Sequence, residues 1–180
     1  MNLPNKLTLL RICLIPVFVI LMLSQINNFF LIACIVFMVA SITDFLDGRI
    51  ARKHNLVTDF GKFMDPLADK LLVLSALICM IDYDLVAGWM VIIIVARELT
   101  VSILRAIAAD NGKVIAASGG GKIKTTSQMI AIIFLLIGAN FSNDIILLIG
   151  TVAMYIATIF TLYSGIDYLY KNRDLFMNSK

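Results

Sequence analysis

Six runs of about 20 mostly apolar residues follow one another along the chain, at roughly 8–24, 29–48, 64–82, 86–108, 125–141 and 145–169. About 20 such residues is the length that carries an α-helix across the hydrocarbon layer of a bilayer. There every backbone N–H and C=O must be satisfied inside its own element, so runs of this kind become helices. With 61% hydrophobic residues and a mean hydropathy of +0.96, little chain remains for a separate soluble domain. The expectation is an all-α integral membrane protein of six transmembrane helices, a single domain over 1–180. No cleavable leader is expected, because the first apolar run passes directly into the multispanning body.

The fifteen Lys and Arg residues set an orientation. They gather at the N-terminus, around the connections between helices 2 and 3 and helices 4 and 5, and in the C-terminal tail. The other three connections, Gln25-Ile-Asn-Asn28, Asp82-Tyr-Asp84 and Ser142-Asn-Asp144, carry none. By the positive-inside rule both termini and the two basic connections are cytoplasmic, as in a multi-pass protein of the cell membrane. The net charge of +3 then faces anionic headgroups and phosphorylated ligands. It does not point to nucleic acid, since no aromatics are interleaved with the bases for stacking. Cys13, Cys34 and Cys79 fall in apolar runs without metal-type spacing and read as packing residues. Trp89, Tyr83 and Tyr168 lie near helix ends and fit interfacial anchoring. His54, the only histidine, reads as a solvated loop residue.

Against this background four carboxylates stand out: Asp44 and Asp47 near the end of helix 2, and Asp65 and Asp69 near the start of helix 3. Spacings of three and four residues put each pair on one helix face. Met1–Thr8 reads as an interfacial entry to helix 1, Lys53–Asp59 as a polar connection, Gly61 as the opening of helix 3, and Pro66 as a first-turn proline. Carboxylates near a bilayer are costly unless paired, hydrated or metal-bound. Four oxygen donors suit hard cations such as Mg²⁺ or Mn²⁺, and two ions would relieve their mutual repulsion. The bland alternative is a solvated cytoplasmic connection neutralised by Arg49 and Arg52.

Helix 4 carries Arg97, Glu98 and Arg105 inside an apolar run, and Ser118-Gly-Gly-Gly-Lys122-Ile-Lys124 follows it. Arginine suits bidentate phosphate binding and lysine adds point charge, whereas the plainer reading is snorkelling to headgroups. The glycine run fails as a nucleotide P-loop, because Ile123 stands where Ser or Thr is required and Ala116 where the first glycine belongs. It reads as a flexible loop between helices.

The stretch Asp44-Phe-Leu-Asp-Gly-Arg-Ile-Ala-Arg52, continued by Gly61-Lys-Phe-Met-Asp65-Pro-Leu-Ala-Asp69, resembles the signature of the CDP-alcohol phosphotransferase family, D-x-x-D-G-x-x-A-R-x(8)-G-x-x-x-D-x-x-x-D. Every fixed position is filled. The resemblance implies that family's six-helix fold, a homodimer and a metal-dependent transferase using Mg²⁺ or Mn²⁺, two ions in all. It assigns Asp44, Asp47 and Asp65 as principal metal ligands, with Asp69 beside the metals as general base. Gly48, Ala51, Arg52 and Gly61 go to the donor. Asn2–Arg11, Ala96-Arg-Glu98, Leu104-Arg105 and Gly121–Met129 resemble the branch of the family whose acceptor is glycerol 3-phosphate. One departure is Ala106, where an acidic residue is expected after Arg105. That branch implies transfer of the phosphatidyl group of CDP-diacylglycerol, with Arg97, Arg105, Lys122 and Lys124 binding the acceptor phosphate. The other readings are the same chemistry with inositol phosphate or serine as acceptor, and a divalent-cation transporter. The transporter fares worse because the outer half of the chain offers only Asp82, Asp84 and Asp144.

Overall fold

The computed structural model describes residues 3–53, 59–110 and 119–173, and within them the side chains of 44–53, 59–63 and a few flanking positions lie outside the described set. The described residues form six helices: α1 Leu3–Ser24, α2 Phe29–Lys53, α3 Asp59–Ile81, α4 Gly88–Asp110, α5 Gly119–Phe141 and α6 Asp144–Lys171. Among the described residues there is no strand. By length and composition α1, α5 and α6 are apolar enough to cross a membrane. The helices α3 and α4 match α5 at 23 residues each but carry the charges discussed below.

One end of the bundle is closed by tight turns. Gln25, Asn28, Asp84 and Ser142 take positive φ between 48° and 58°; Gln25 and Ser142 do so directly after α1 and α5, the left-handed geometry that ends a helix and turns the chain. Asn143 caps α6 by accepting from the backbone N–H of Ile145 and Ile146, each at 3.1 Å. The three turns are tied together across the sequence. The Tyr83 hydroxyl donates to the Met22 carbonyl, its ring packs on Phe29 and Phe30, and the Leu31 N–H donates to Asn140 Oδ1 at 3.3 Å. The opposite end therefore gathers the polar end of α2, the start of α3, the end of α4, the start of α5 and the end of α6.

The core runs between these ends, with Phe18, Phe37, Leu72, Met80, Ile132 and Met154 fully or almost fully buried. The main packed pairs are α1 with α2 and α3, α5 with α6 and α2, and α4 with α6 and α3. Small residues let α5 and α6 approach closely, as membrane helix pairs often do. A Cβ on Gly138 would lie 2.9 Å from Leu147 N, and one on Gly150 2.9 Å from Leu135 N and 2.7 Å from Leu135 Cγ. The buried hydroxyls of Thr158 and Thr161 donate back to the carbonyls of Met154 and Ala157 at 2.9 and 2.6 Å, so neither is left unsatisfied in an apolar setting. Outward faces are apolar too: Ile92, Ile145, Leu148 and Ile166 are 63–70% exposed. A helix apolar on all sides, with one side bare, requires lipid as its solvent.

Several expectations need correction. Helix α1 already begins at Leu3, so most of the segment read as an interfacial entry is helical. Helix α3 begins at Asp59 rather than Gly61, which puts Pro66 in its interior instead of its first turn. The glycine run is no loop, because Gly119–Gly121 and Lys122 form the opening of α5. A Cβ at Gly120 would meet Ser164 Cβ at 3.4 Å, so the run is short of side chains where α5 leans on α6. Tyr168 is 3% exposed and packs inward rather than anchoring at an interface. Cys13 lies on an exposed face, while Cys34 and Cys79 are buried. The connection with His54 lies outside the described residues.

Candidate active site

At the polar end a cavity of about 510 Å³ is lined by Asp69 and Lys70 of α3, Arg97, Glu98 and Arg105 of α4, and Lys122 of α5, among others. Helical periodicity explains the convergence. Arg97 and Arg105 are two turns apart on one side of α4, and Lys122 sits in the opening turn of α5, facing them across the cavity. Four cations against two carboxylates leave the cavity with an excess of positive charge, suited to a phosphate dianion.

Three of the four, Arg97, Lys70 and Arg105, are held by specific partners, and so is Lys124 beside them. Arg97 Nη1 donates to Glu98 Oε1 at 2.8 Å, and Lys124 Nζ reaches the same oxygen at 2.8 Å. The three side chains are 14, 12 and 5% exposed, so the cluster is largely withdrawn from water. Arg97 Nε has no hydrogen-bond partner among the described residues. Gly165 of α6 makes room for its stem, since a Cβ there would lie 3.1 Å from Arg97 Cγ. Lys70 Nζ donates to Ser102 Oγ at 2.5 Å, and that hydroxyl donates on to the Glu98 carbonyl at 2.5 Å. Arg105 Nε donates to the Tyr168 hydroxyl at 3.3 Å.

Of the expected acceptor-binding residues, Arg97, Arg105 and Lys122 line the large cavity together with Asp69. Lys124 does not. It lines a smaller neighbouring cavity of about 30 Å³ with Asp69, Glu98 and Gln128, and its charge is directed at Glu98. Asp65, one turn before Asp69 on α3, accepts from the Thr8 hydroxyl at 2.5 Å, which fixes one of its oxygens from α1. Asp44, Asp47, Gly48, Ala51 and Arg52 occupy the last turns of α2, and Gly61 the first turn of α3, with side chains outside the described residues. Among the described residues no three acidic, His or Cys side chains form a group that could hold a metal. The motif as a whole nonetheless offers only carboxylate oxygens, a donor set that fits Mg²⁺ or Mn²⁺ and not a thiophilic ion.

Sequence reasoning did not single out Thr8, Lys70, Ser102, Glu98 or Tyr168 as members of this site. For Glu98 a signal existed, since a carboxylate inside an apolar run needs a cation beside it. For Thr8 and Tyr168 no local pattern marks the contact.

A family model described as CDP-alcohol phosphatidyltransferase matches residues 1–163. The chain belongs to the CDP-alcohol phosphatidyltransferase family. Its curated relatives extend the likeness over nearly the full length. The CDP-diacylglycerol--glycerol-3-phosphate 3-phosphatidyltransferase of Bacillus subtilis (strain 168) is 47% identical over 184 aligned positions, covering 95% of each chain. The proteins of the same name from Rickettsia typhi and Haemophilus influenzae are 44% and 40% identical, covering 93% of this chain and 94% and 91% of theirs. Membership in this family accounts for the carboxylate motif and the six helices together.

Proposed function

We propose that the chain transfers the phosphatidyl group of CDP-diacylglycerol to the 1-hydroxyl of glycerol 3-phosphate, giving phosphatidylglycerol phosphate and CMP. The observation that carries this reading is the cavity in which Asp69 faces Lys70, Arg97, Arg105 and Lys122. A proton acceptor and a surplus of cations share one space, as a phosphorylated alcohol requires. The relatives named for this activity support the same acceptor.

In this reading Asp44, Asp47, Asp65 and Asp69 would hold two Mg²⁺ or Mn²⁺ ions, which when bound neutralise the donor diphosphate and stabilise charge on the transferring phosphoryl group. Arg97, Arg105 and Lys122 bind the acceptor phosphate and turn its hydroxyl toward α3. The carboxylate of Asp69 takes the hydroxyl proton. The hydroxyl oxygen forms a bond to the phosphatidyl phosphorus as the bond from that phosphorus to CMP breaks, and CMP leaves with the electron pair. Arg52, with Gly48, Ala51 and Gly61, serves the donor. The lipid tails stay in the bilayer while the acceptor enters from the cytoplasm, the side on which the charge asymmetry puts the polar end of this multi-pass chain. A homodimer in the cell membrane is part of the same reading.

The test is a separation of Michaelis constants. Hydrogen bonds to charged groups are worth roughly 1.5–3 kcal/mol, so Arg105→Gln and Lys122→Gln should each raise KM for glycerol 3-phosphate by about ten- to a hundredfold. KM for CDP-diacylglycerol should change much less. Equal shifts in both constants, or efficient use of free glycerol by the native protein, would overturn the acceptor assignment.

A further inference from the structure

We infer that Glu98 is a positioning residue for the acceptor-phosphate pocket, holding Arg97 in place from α4 and anchoring it through Lys124 to α5. The inference rests on the acceptor reading above and deepens it. Arg97 and Glu98 are neighbours in sequence, so on an ideal helix their side chains leave about 100° apart. The 2.8 Å bond between Arg97 Nη1 and Glu98 Oε1 therefore closes that gap through the reach of the two long side chains. The same oxygen takes the Lys124 ammonium at 2.8 Å. The helix α4 packs mainly on α6 and α3, so this bridge adds a link from it to α5, at Glu98, which lines both cavities. The Ser102 hydroxyl, on α4 itself, donates to the Glu98 carbonyl and accepts from Lys70 of α3. A single carboxylate thus ties α4 to α5 and holds one of the cations that line the large cavity.

This arrangement separates two roles among the four expected phosphate ligands. Arg105 and Lys122 are exposed to the cavity and can meet a ligand directly. Lys124 is almost fully withdrawn, so its charge acts by holding Glu98. Arg97 lines the cavity while its Nη1 is engaged by Glu98, so its guanidinium is oriented before the ligand arrives. A preoriented guanidinium gives up less freedom on binding than a mobile one.

Glu98→Gln keeps the shape of the side chain and removes its charge. It should raise KM for glycerol 3-phosphate by about tenfold, the size of one weakened charge-assisted hydrogen bond, with kcat and KM for CDP-diacylglycerol close to native. Because Lys124 would then be a buried cation without its counter-charge, the single variant can misfold. The double variant Glu98→Gln/Lys124→Gln removes both charges and supplies the deciding measurement, with the same split expected. Glu98→Asp, which retains the charge, should recover part of the lost affinity. A native KM for glycerol 3-phosphate in the double variant would overturn the inference. So would a loss of kcat at unchanged KM, which would put Glu98 in the chemistry. Failure of the native protein to use glycerol 3-phosphate would instead overturn the acceptor reading itself.

Discussion

The bond from Thr8 to Asp65 gives a quantitative handle on the carboxylate motif. Thr8 is 1% exposed and donates its hydroxyl to Asp65 Oδ1 at 2.5 Å across 57 residues of sequence. Thr8→Val keeps the side-chain volume and the β-branch but deletes the donor, leaving the ionised Asp65 with one hydrogen bond fewer. A hydrogen bond to a charged group contributes roughly 1.5–3 kcal/mol. Partners that orient a metal ligand typically change metal affinity by about 10–100-fold when removed, and the two scales agree at about 1.4 kcal/mol per decade. If Asp65 is a metal ligand, the concentration of free Mg²⁺ or Mn²⁺ giving half-maximal CMP release should rise by about ten- to a hundredfold in Thr8→Val. The rate should recover at high metal, and Thr8→Ser should behave much like the native protein. An unshifted metal curve, or a lowered maximum without a shift, would refute the claim that Thr8 positions a metal-binding carboxylate.

Three further outcomes are expected. Asp69→Asn should lower turnover by about 10²–10⁴ with donor affinity largely retained, since that is the usual cost of losing a general base; unchanged CMP formation would assign the proton to another group. Gly150→Ala should destabilise the α5–α6 pair by about 1–3 kcal/mol, because the new Cβ would approach the backbone N of Leu135 to 2.9 Å; an unaltered unfolding temperature in detergent would show that the two helices can separate freely. With Cys13, Cys34 and Cys79 replaced by alanine, single cysteines at Asn28, Asp84 and Asn143 should react with an impermeant reagent outside intact cells, and one at Asn55 should not; the reverse pattern would place the cavity on the far side of the membrane from the cytoplasmic acceptor.

The six helices could be read from the sequence because apolar length in a bilayer admits almost no other structure. Their polar ends could not. Helices α1, α3 and α5 begin at Leu3, Asp59 and Gly119, several residues before their apolar runs, because polar residues at a membrane boundary can extend a helix without burial. Glycine's poor helix propensity argued for a loop at Gly119–Gly121. Tertiary packing overrides it, since the backbone of α5 comes close to Ser164 and Tyr163 of α6 there. Arg97, Arg105 and Lys122 were legible because charge in an apolar run is costly and so carries meaning. The subordinate position of Lys124 was not, because it depends on Glu98 of another helix, 26 residues away in sequence. The Thr8–Asp65 and Arg105–Tyr168 contacts span 57 and 63 residues, distances over which periodicity carries no signal.

The most direct test of the central claim is CMP release by the purified protein from CDP-diacylglycerol, compared across acceptors with and without a divalent ion. The account predicts CMP and a lipid product bearing a terminal phosphate when glycerol 3-phosphate and Mg²⁺ or Mn²⁺ are both present. It predicts little of either with glycerol, serine or inositol phosphate, or after chelation. Comparable release with an uncharged acceptor, or undiminished release without metal, would contradict both the cationic acceptor cavity and the carboxylate metal site on which the proposal is built.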